Sequence, residues 1–456
     1  MDLLIGEKLI KQKEFGKALN IFTKLEKNNI KDKRIFFYLG IIYFELNNIH
    51  KSIRYYEKYL KEDPNSIITL HRLAAAKQSI GEIEAAKNIY LRLIKIDKYK
   101  IRSYYGILML DENLLTKENF ETIHEIEKNQ SLNLHEKGIV NFILSKKEKK
   151  NNNYKKEIEY LKNFHLNIFN SNYSFNMSSQ FYYNEIISQN YNKISIVNKK
   201  EIHKKDDHPS PIFIIGLPRS GSTLVESILT SGVDKVDSSG ESHVFNMAIL
   251  EQIGPKIYNK DFDKKNFLFE IELSLLKETI SQRYSAFNIN YKTKNRFFID
   301  KSLENFFNIE LILNIFPDAK FLHTFRDPID SIISIYQSML AELSWTHKIE
   351  DILNYIDIYY KVIAYFKAKY PEKIMDINLK KFTEESDLTA KKIYNFCNLN
   401  WSNEVLNFYK RNNLHSKTLS FAQIRKKISK YNDKKYKPYL YMLNDYSKKY
   451  DWINLD

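Results

Sequence analysis

The sequence contains a single cysteine, Cys397, among its 456 residues. An intrachain disulfide is therefore impossible, and nothing indicates folding in an oxidising compartment. No stretch reaches the roughly 18 apolar residues that a membrane-spanning helix requires. The opening residues MDLLIGEKLIKQKEFG are interrupted by charges and lack the apolar core of a signal peptide. These absences predict a cytoplasmic protein with no transmembrane segment.

Apolar residues are plentiful, since 43% of the chain is hydrophobic and 14% aromatic, well above the composition of a disordered protein. The length allows two or three domains. The net charge of +15 would suit an anionic partner such as nucleic acid, a membrane face or a phosphorylated cofactor. Lys, Asn, Ile and Tyr are abundant even in segments without a motif, so we attribute most of this charge to compositional bias. We expect no nucleic-acid partner, and a functional role only for Lys and Arg within a site.

The N-terminal part is repetitive. Two series of small residues and one of aromatic residues recur at intervals of 34: Gly6, Gly40 and Ala74; Ala18, Ser52 and Ala86; Phe22, Tyr56 and Tyr90. The interval and the residue types resemble the tetratricopeptide repeat, in which each unit is a pair of helices. Small residues permit close helix approach, and aromatic residues fill the space between neighbouring pairs. Such an array either binds polypeptide or serves as a stabilising spacer, and the sequence leaves both open.

The repeat pattern decays after residue 100, although residues 136–164 still read as a helix, an Asn-rich turn and a second helix. We predict tetratricopeptide-like helices over residues 1–165 and a linker or connecting helix over residues 166–208. A separate domain is predicted over residues 209–456.

At residue 211 the sequence changes to PIFIIGLPRSGSTLVESILTSG, which predicts a buried strand, a Gly/Pro turn and a helix from about Thr223. Such a loop gathers backbone N–H groups and a helix N-terminus around one anion. Gly216 and Gly221 have the spacing of a nucleoside-triphosphate P-loop, but Ser222 stands where that motif needs Lys. ATP or GTP hydrolysis would lack its charge clamp, so a nucleotide kinase is the weakest alternative.

The string PRSGST followed by a helix instead resembles the 5′-phosphosulfate loop of sulfotransferases. The resemblance implies 3′-phosphoadenosine-5′-phosphosulfate (PAPS) as cofactor, without a metal. It also implies a loop that wraps the 5′-phosphate and sulfate, formed by Arg219, Ser220, Gly221, Ser222 and Thr223. In KFLHTFRDPIDSIISIYQ, read as a strand and then a helix, it implies that Arg326 and Ser334 hold the 3′-phosphate. The structural alternative for Arg326 is an ion pair with Asp327 or Asp330.

Three more residues match the same family in order. Glu241 of SSGESHVF corresponds to the glutamate that takes the acceptor proton in tyrosylprotein sulfotransferases. Lys301 of FIDKSLEN corresponds to the lysine that neutralises the leaving phosphate oxygen, and Ser420 of TLSFAQIRKK to the serine that steadies the sulfuryl group. With Arg219 they form the candidate catalytic set. Each alone has a structural reading: an exposed loop acid, a solvated charge and a helix cap.

The whole arrangement resembles bacterial tetratricopeptide-repeat sulfotransferases related to the tyrosylprotein enzymes. The expected fold is α/β, with an N-terminal α-solenoid and a three-layer α/β/α, P-loop-like domain. Its sheet would be mostly parallel, with the cofactor at the carboxyl ends of the strands. Two departures affect the expected contacts to the adenine and the outer phosphate. Asn378, Leu379 and Lys380 replace a Tyr-Glu pair, and KYNDKKY replaces a Gly-x-Trp segment, with Lys430, Tyr431 or Lys434 as stand-ins.

The expected activity is sulfuryl transfer from PAPS to a hydroxyl, with a protein tyrosine as the first choice and the repeats as a surface that could hold the polypeptide. A carbohydrate or small-metabolite acceptor is the first alternative, because pockets for different acceptors share one set of cofactor motifs. A repeat scaffold with an inactive transferase domain is the alternative from another class. Measurable affinity for PAPS would separate the enzyme from the scaffold.

Overall fold

The computed structural model describes residues 2–193, 210–266, 271–289, 297–411, 414, 416–417, 421 and 423–455. The chain divides into two compact units. The first comprises Met1–Asn167, Ser285–Phe287 and Tyr409–Lys426, and the second Ile168–Tyr284, Asn288–Phe408 and Lys427–Asp456. Within the described ranges, no helix is both long and apolar enough to cross a membrane.

The first unit is a succession of helices joined by short turns. They are α1 Asp2–Lys11, α2 Phe15–Lys27, α3 Arg34–Glu45, α4 Ile49–Glu62, α5 Ile67–Ser79, α6 Ile83–Ile96, α7 Ile101–Leu110, α8 Lys117–Glu127, α9 Leu134–Lys150 and α10 Tyr154–Ser171, whose last turn falls in the second unit.

The small and aromatic residues of the repeat pattern meet where paired helices cross. Gly40 of α3 lies against Tyr56 of α4 so closely that a methyl group on Gly40 would overlap the Tyr56 ring. The Ser52 hydroxyl donates a 2.7 Å hydrogen bond to the Gly40 carbonyl oxygen, and Tyr56 is fully buried. A larger residue at position 40 would therefore force the two helices apart. The predicted helical repeats are confirmed.

A segment from the C-terminal part of the sequence, Tyr409–Lys426, belongs to the repeat unit. The Arg425 guanidinium donates to the carbonyl oxygens of Ser79 at 2.8 Å and Leu414 at 3.0 Å, and the Ser416 amide donates to the same Ser79 oxygen at 2.9 Å. The Arg425 side chain passes Gly81 where no Cβ would fit, and Gly81 has φ of +87°. The segment is thus held at the turn between α5 and α6.

The second unit contains a sheet and nine further helices among its described residues. The helices are α11 Tyr173–Phe181, α12 Ser222–Leu229, α13 Val244–Ile253, α14 Leu273–Ala286, α15 Ile309–Ile315, α16 Pro328–Tyr336, α17 Ile349–Lys369, α18 Leu379–Glu384 and α19 Ser386–Phe396. The last two residues of α14 fall in the first unit.

The sheet has five described strands, all parallel, in the order β2-β3-β1-β4-β5. They are β1 Ser210–Gly216, β2 Asp237–Ser238, β3 Phe297–Asp300, β4 Lys320–Phe325 and β5 Ile374–Asn378. The central strand β1 is apolar and buried over residues 212–215, as a parallel strand covered on both faces must be. The predicted α/β fold is confirmed: helical repeats come first in the chain, and a parallel sheet follows them in sequence.

The chain order places a topological switch at β1, which has β3 on one side and β4 on the other. Ligands of open α/β sheets bind at the carboxyl ends of the strands next to such a switch. The loops after β1, β3 and β4 begin at Leu217, Lys301 and Arg326, so the segments that the sequence singled out meet along one edge.

Candidate functional site

The loop after β1 is a tight turn that leads directly into α12. Gly216 and Gly221 have φ of +139° and +92°, and a side chain at Gly216 would overlap the Thr324 carbonyl oxygen of β4. Glycine is needed at both positions because L-residues rarely adopt these angles. The Ser220 hydroxyl donates to the Leu217 carbonyl oxygen at 2.6 Å and lies 2.8 Å from the Thr324 hydroxyl. Ser220 therefore braces the loop against β4.

Helix α12 starts at Ser222, one residue before the predicted start, with Gly221 as its N-terminal cap. Both Ser222 and Thr223 lie in the first turn and are largely buried. The first N–H groups of this helix have no partner within it and carry the positive end of its dipole. The predicted cofactor loop therefore ends in a geometry suited to an anion.

Two arginines from different strands are neighbours. Arg219 of the β1 loop has φ of +67°. Burial lowers the pKa of its guanidinium, and the positive charge of Arg326 lowers it further. Placing two guanidinium groups together in a buried setting is unfavourable unless negative charge joins them. The pair is therefore a candidate site for an anion.

Arg326 follows β4 and is only 8% exposed. One amino group, Nη2, donates to the Asp330 carbonyl oxygen at 2.7 Å, while the buried Nε has no hydrogen-bond partner among the described residues. The structural ion pair considered from the sequence is not formed with Asp330, whose carboxylate instead accepts a hydrogen bond from the Tyr431 hydroxyl. The Nε–H group of Arg326 can therefore donate a hydrogen bond to a ligand.

Arg326 and Ser334 meet at a residue that the sequence did not single out, Tyr436. The Arg326 guanidinium carbon lies 5.5 Å from the centre of the Tyr436 ring, and both Arg326 and Ser334 lower the pKa of the Tyr436 phenol. Ser334 is 6% exposed and Tyr436 4%. Of the proposed stand-ins in KYNDKKY, Tyr431 is engaged with Asp330, so Tyr436 is the residue of this segment that reaches the predicted 3′-phosphate pair.

A second charged cluster surrounds Lys301 at the end of β3. Its ammonium nitrogen lies 3.1 Å from Glu226 Oε2 and 3.2 Å from Glu241 Oε1, and its side chain is 2% exposed. Burial by itself lowers the pKa of Lys301, but the two carboxylates outweigh it and raise the pKa above its ordinary value. Lys301 is therefore a buried, permanently charged group. The Glu241 side chain remains 46% exposed, so an acceptor can approach it.

The backbone and Ser238 fix this cluster. The Lys301 amide donates to the Gly240 carbonyl oxygen at 2.9 Å, which ties the end of β3 to the loop carrying Glu241. The Ser238 hydroxyl donates to Glu226 Oε1 at 2.6 Å and accepts from the Gly240 amide at 3.0 Å. Glu226, on α12, was missed in the sequence, although it is the one charged residue of an otherwise uncharged helix.

Two buried acidic residues, Asp300 and Glu304, stabilise the loops that carry Glu241 and Lys301. Asp300 is fully buried and accepts hydrogen bonds from Ser242 at 2.8 Å and Tyr284 at 2.7 Å. Burial raises the pKa of Asp300. Glu304 pairs with the His243 imidazole, and although burial opposes ionisation, this partner lowers the pKa of Glu304. These contacts hold the segment 240–243 in register with residues 300–304.

The structure thus brings the predicted residues together in two groups. The charge of Arg219 interacts with that of Arg326, Arg326 and Ser334 both lie near Tyr436, and Lys301 pairs with Glu241. Ser420 lies outside the described residues. The two segments that depart from the family pattern are residues 378–380 and KYNDKKY, residues 430–436. The Asn378 side chain caps α18, and Leu379 lies 2.6 Å from where a Cβ on Gly221 would be. Lys380 forms an ion pair with Asp433 of the second segment.

Comparisons with known proteins agree with this organisation. Residues 211–403 match the model of the Sulfotransferase family, and residues 34–66 match that of the tetratricopeptide repeat. A curated relative, an uncharacterized protein of Aquifex aeolicus (strain VF5), is 26% identical over 386 residues, which make up 82% of this chain and 49% of that protein. The chain therefore spans about half the length of that relative.

Solved structures with similarity include the sulfotransferase domain from the curacin biosynthetic pathway, at 18% identity and a TM-score of 0.31, over 47% of this chain and 86% of that one. Sulfotransferase STF9 from Mycobacterium avium is similar at 13% identity and a TM-score of 0.28, over 53% of this chain and 77% of that one.

Proposed function

Because residues 211–403 form a sulfotransferase-family domain, we propose that the chain transfers a sulfuryl group from PAPS to the hydroxyl of a protein tyrosine. The observation that carries this proposal is the pairing of buried Lys301 with exposed Glu241, on the same sheet edge as the Arg219–Arg326 pair. The first pair suits proton removal next to a fixed positive charge, and the second suits a phosphorylated donor.

The residues present fit such a donor. The buried Nε of Arg326, which has no partner among the described residues, and the Ser334 hydroxyl would hold the outer phosphate. The loop Arg219–Thr223 and the first turn of α12 would hold the phosphosulfate. PAPS supplies the sulfuryl group when bound and departs as 3′-phosphoadenosine-5′-phosphate (PAP).

Glu241 is assigned the role of general base. Its carboxylate is half exposed, and Lys301 at 3.2 Å fixes its orientation, so it can accept the proton of an acceptor hydroxyl that enters from solvent. Lys301 has three N–H donors, of which Glu226 and Glu241 occupy two. The third can stabilise negative charge that develops on the leaving phosphate oxygen. Arg219 would act on the equatorial oxygens, and Ser420 is proposed to act there too.

Glu226 is the residue that positions Lys301. Without it, the ammonium would be balanced by Glu241 alone, and protonation of Glu241 during the reaction would leave Lys301 buried and unpaired. With Glu226 in place, the charge on Lys301 stays compensated in both protonation states of Glu241. The cluster can therefore take up a proton without losing its geometry.

Binding of PAP tests the proposed function directly. Calorimetric titration of the intact protein should give micromolar affinity for PAP and none for ATP. Arg326→Ala should abolish binding, and Arg326→Lys should weaken it at least tenfold, because an ammonium keeps the charge but loses the planar fork of donors. Absence of PAP binding to the wild type would favour the scaffold, and a preference for ATP would favour the kinase.

The acceptor is tested separately, with labelled PAPS and equal concentrations of a tyrosine peptide, its phenylalanine counterpart and an oligosaccharide. We expect label only on the tyrosine peptide. The support for this acceptor is the resemblance of Glu241 and Lys301 to the tyrosylprotein enzymes and the tetratricopeptide repeat at residues 34–66. Label on the oligosaccharide would show that the acceptor is a carbohydrate and not a tyrosine, and PAPS would remain the proposed donor.

A further inference from the structure

Tyr436 occupies a setting that is unusual for a phenol. It is 4% exposed, the Arg326 guanidinium carbon lies 5.5 Å from the centre of its ring, and Ser334 is close enough to influence its hydroxyl. Ser334 and Arg326 are the two groups assigned above to the outer phosphate. The phenol therefore lies beside the two groups that are proposed to hold the phosphate.

The charges that face Tyr436 are predominantly positive. Arg326 comes from the end of β4, Lys435 from the neighbouring position in the chain, and Arg219 from the β1 loop. Tyr431 is also close, and its hydroxyl is directed to the Asp330 carboxylate. A negative charge on the Tyr436 oxygen would therefore interact with three cations, Arg326, Lys435 and Arg219. The carboxylate of Asp330 is bound to the Tyr431 hydroxyl.

These charges change the ionisation of the phenol. Burial raises the pKa of Tyr436, but the positive charges of Arg326 and Lys435, together with the nearby Ser334 hydroxyl, outweigh burial and lower the pKa to about 8. Tyrosines elsewhere in the same unit behave in the opposite way, because burial raises the pKa of Tyr360 to about 12. Tyr436 can therefore exchange its proton with solvent near neutral pH.

We propose that Tyr436 makes the outer-phosphate subsite dependent on protonation: the neutral phenol donates a hydrogen bond to the bound phosphate, and the phenolate takes the place of the phosphate on Arg326 and Ser334. This inference rests on the proposed function. The phenol O–H proton is released to solvent, and no covalent bond other than that O–H changes. The neutral form has a proton to donate, whereas the phenolate can only accept and repels the phosphate.

The expected effect follows from the fraction of protein that can bind. If only the neutral phenol is competent, apparent PAP affinity falls about tenfold between pH 7 and pH 9, because the competent fraction falls from about 0.9 to about 0.1. The phosphate does not titrate in this window, since its second pKa is about 6. By linkage, saturating PAP must raise the pKa of Tyr436 by at least about one unit.

The experiment uses the full-length protein, the Tyr436→Phe variant and a matched control, Tyr441→Phe, which removes the hydroxyl of an exposed tyrosine on the following helical turn Lys437–Leu443. The first measurement is a spectroscopic pH titration without ligand, read at the long-wavelength tyrosinate band. Wild type and Tyr441→Phe should show one tyrosine ionising near pH 8, and Tyr436→Phe should lack it. PAP should shift this transition upward.

The second measurement is PAP affinity at pH 7 and pH 9. The tenfold decline should occur in wild type and Tyr441→Phe and be absent in Tyr436→Phe. A ligand-free titration with no tyrosine ionising below pH 10 would overturn the proposal. PAP binding with the same pH dependence in wild type and Tyr436→Phe would overturn it while leaving the proposed function intact. No PAP binding to any of the three proteins would overturn both.

Discussion

Replacement of Lys301 by methionine tests the central charge of the site. Methionine keeps most of the length of the side chain in a position that is 2% exposed, so the packing changes little. The ammonium disappears, and the carboxylates of Glu226 and Glu241 face each other without a cation.

The magnitude follows from the geometry. The two carboxylate oxygens lie 3.1 and 3.2 Å from the same nitrogen, so they are at most about 6 Å apart, and their repulsion is about 3 kcal/mol at an effective dielectric constant of about 20. Glu241 is half exposed and can turn towards solvent, which reduces the realised cost to about 2 kcal/mol. Loss of one preorganised donor to the leaving group should lower turnover by about 10²- to 10³-fold.

A double variant separates the structural cost from the chemical one. Lys301→Met with Glu226→Gln removes the repulsion, so chemical denaturation at pH 7 should show most of the lost stability restored. Transfer of labelled sulfate from PAPS should remain about 10²- to 10³-fold below wild type, because the donor is still absent. Lys301→Met turnover within threefold of wild type, or recovery of turnover in the double variant, would show that Lys301 only balances buried acids.

Three further changes test other contacts. Glu241→Gln should reduce turnover by about 10²-fold or more with PAP affinity unchanged, since it removes the base but no proposed cofactor contact. An equal loss of turnover and of PAP affinity would show instead that Glu241 contacts the cofactor. Glu304→Gln should cost about 2 kcal/mol of unfolding free energy at pH 7, by weakening its charged hydrogen bond with His243. Because the folded-state pKa of Glu304 is lowered, this difference should persist above about pH 4.5 and vanish as the pH falls further; a constant difference would contradict it. Gly81→Ala should lower the unfolding free energy by about 2 kcal/mol, because position 81 has a positive φ and the new methyl group would overlap the Arg425 side chain. In an Arg425→Ala background the overlap is absent, so chemical denaturation should show only the cost of the positive φ, about 1 kcal/mol.

Much of the fold was predictable because its signals are local in sequence. The 34-residue interval reports directly on helix pairs, since a small residue fits against an aromatic ring where two helices cross, as Gly6 does with Phe22 and Gly40 with Tyr56. The β1 loop is equally local: a buried strand, two glycines at positive φ and a helix cap occupy consecutive residues. Periodicity and turn chemistry carry this information without knowledge of distant contacts.

The missed residues depend on contacts between distant segments. Glu226 becomes significant only because β3 brings Lys301 beside α12, and Tyr436 only because residues near the C-terminus return to Arg326. The sequence singled out the segment KYNDKKY, but nothing in it favoured Tyr436 over Lys430, Tyr431 or Lys434. The return of Tyr409–Lys426 to the repeat unit is of the same kind, because the Arg425–Ser79 contact joins residues 346 apart in sequence.

The two charged clusters differ in net charge, in a way that suits the proposed donor and acceptor. Lys301 with Glu226 and Glu241 carries one cation and two carboxylates, so it is negative overall and suited to accept a proton. Arg219 and Arg326 carry two cations whose charges interact with each other and with the phenol of Tyr436, so they are suited to bind an anion. β1 lies between β3 and β4, and the segment that follows it contributes to both clusters, with Arg219 in one and Glu226 in the other. Ser222 stands where a P-loop has lysine, and four residues further along the same helix Glu226 pairs with Lys301 from the end of β3, so a lysine side chain does reach α12, but from another strand.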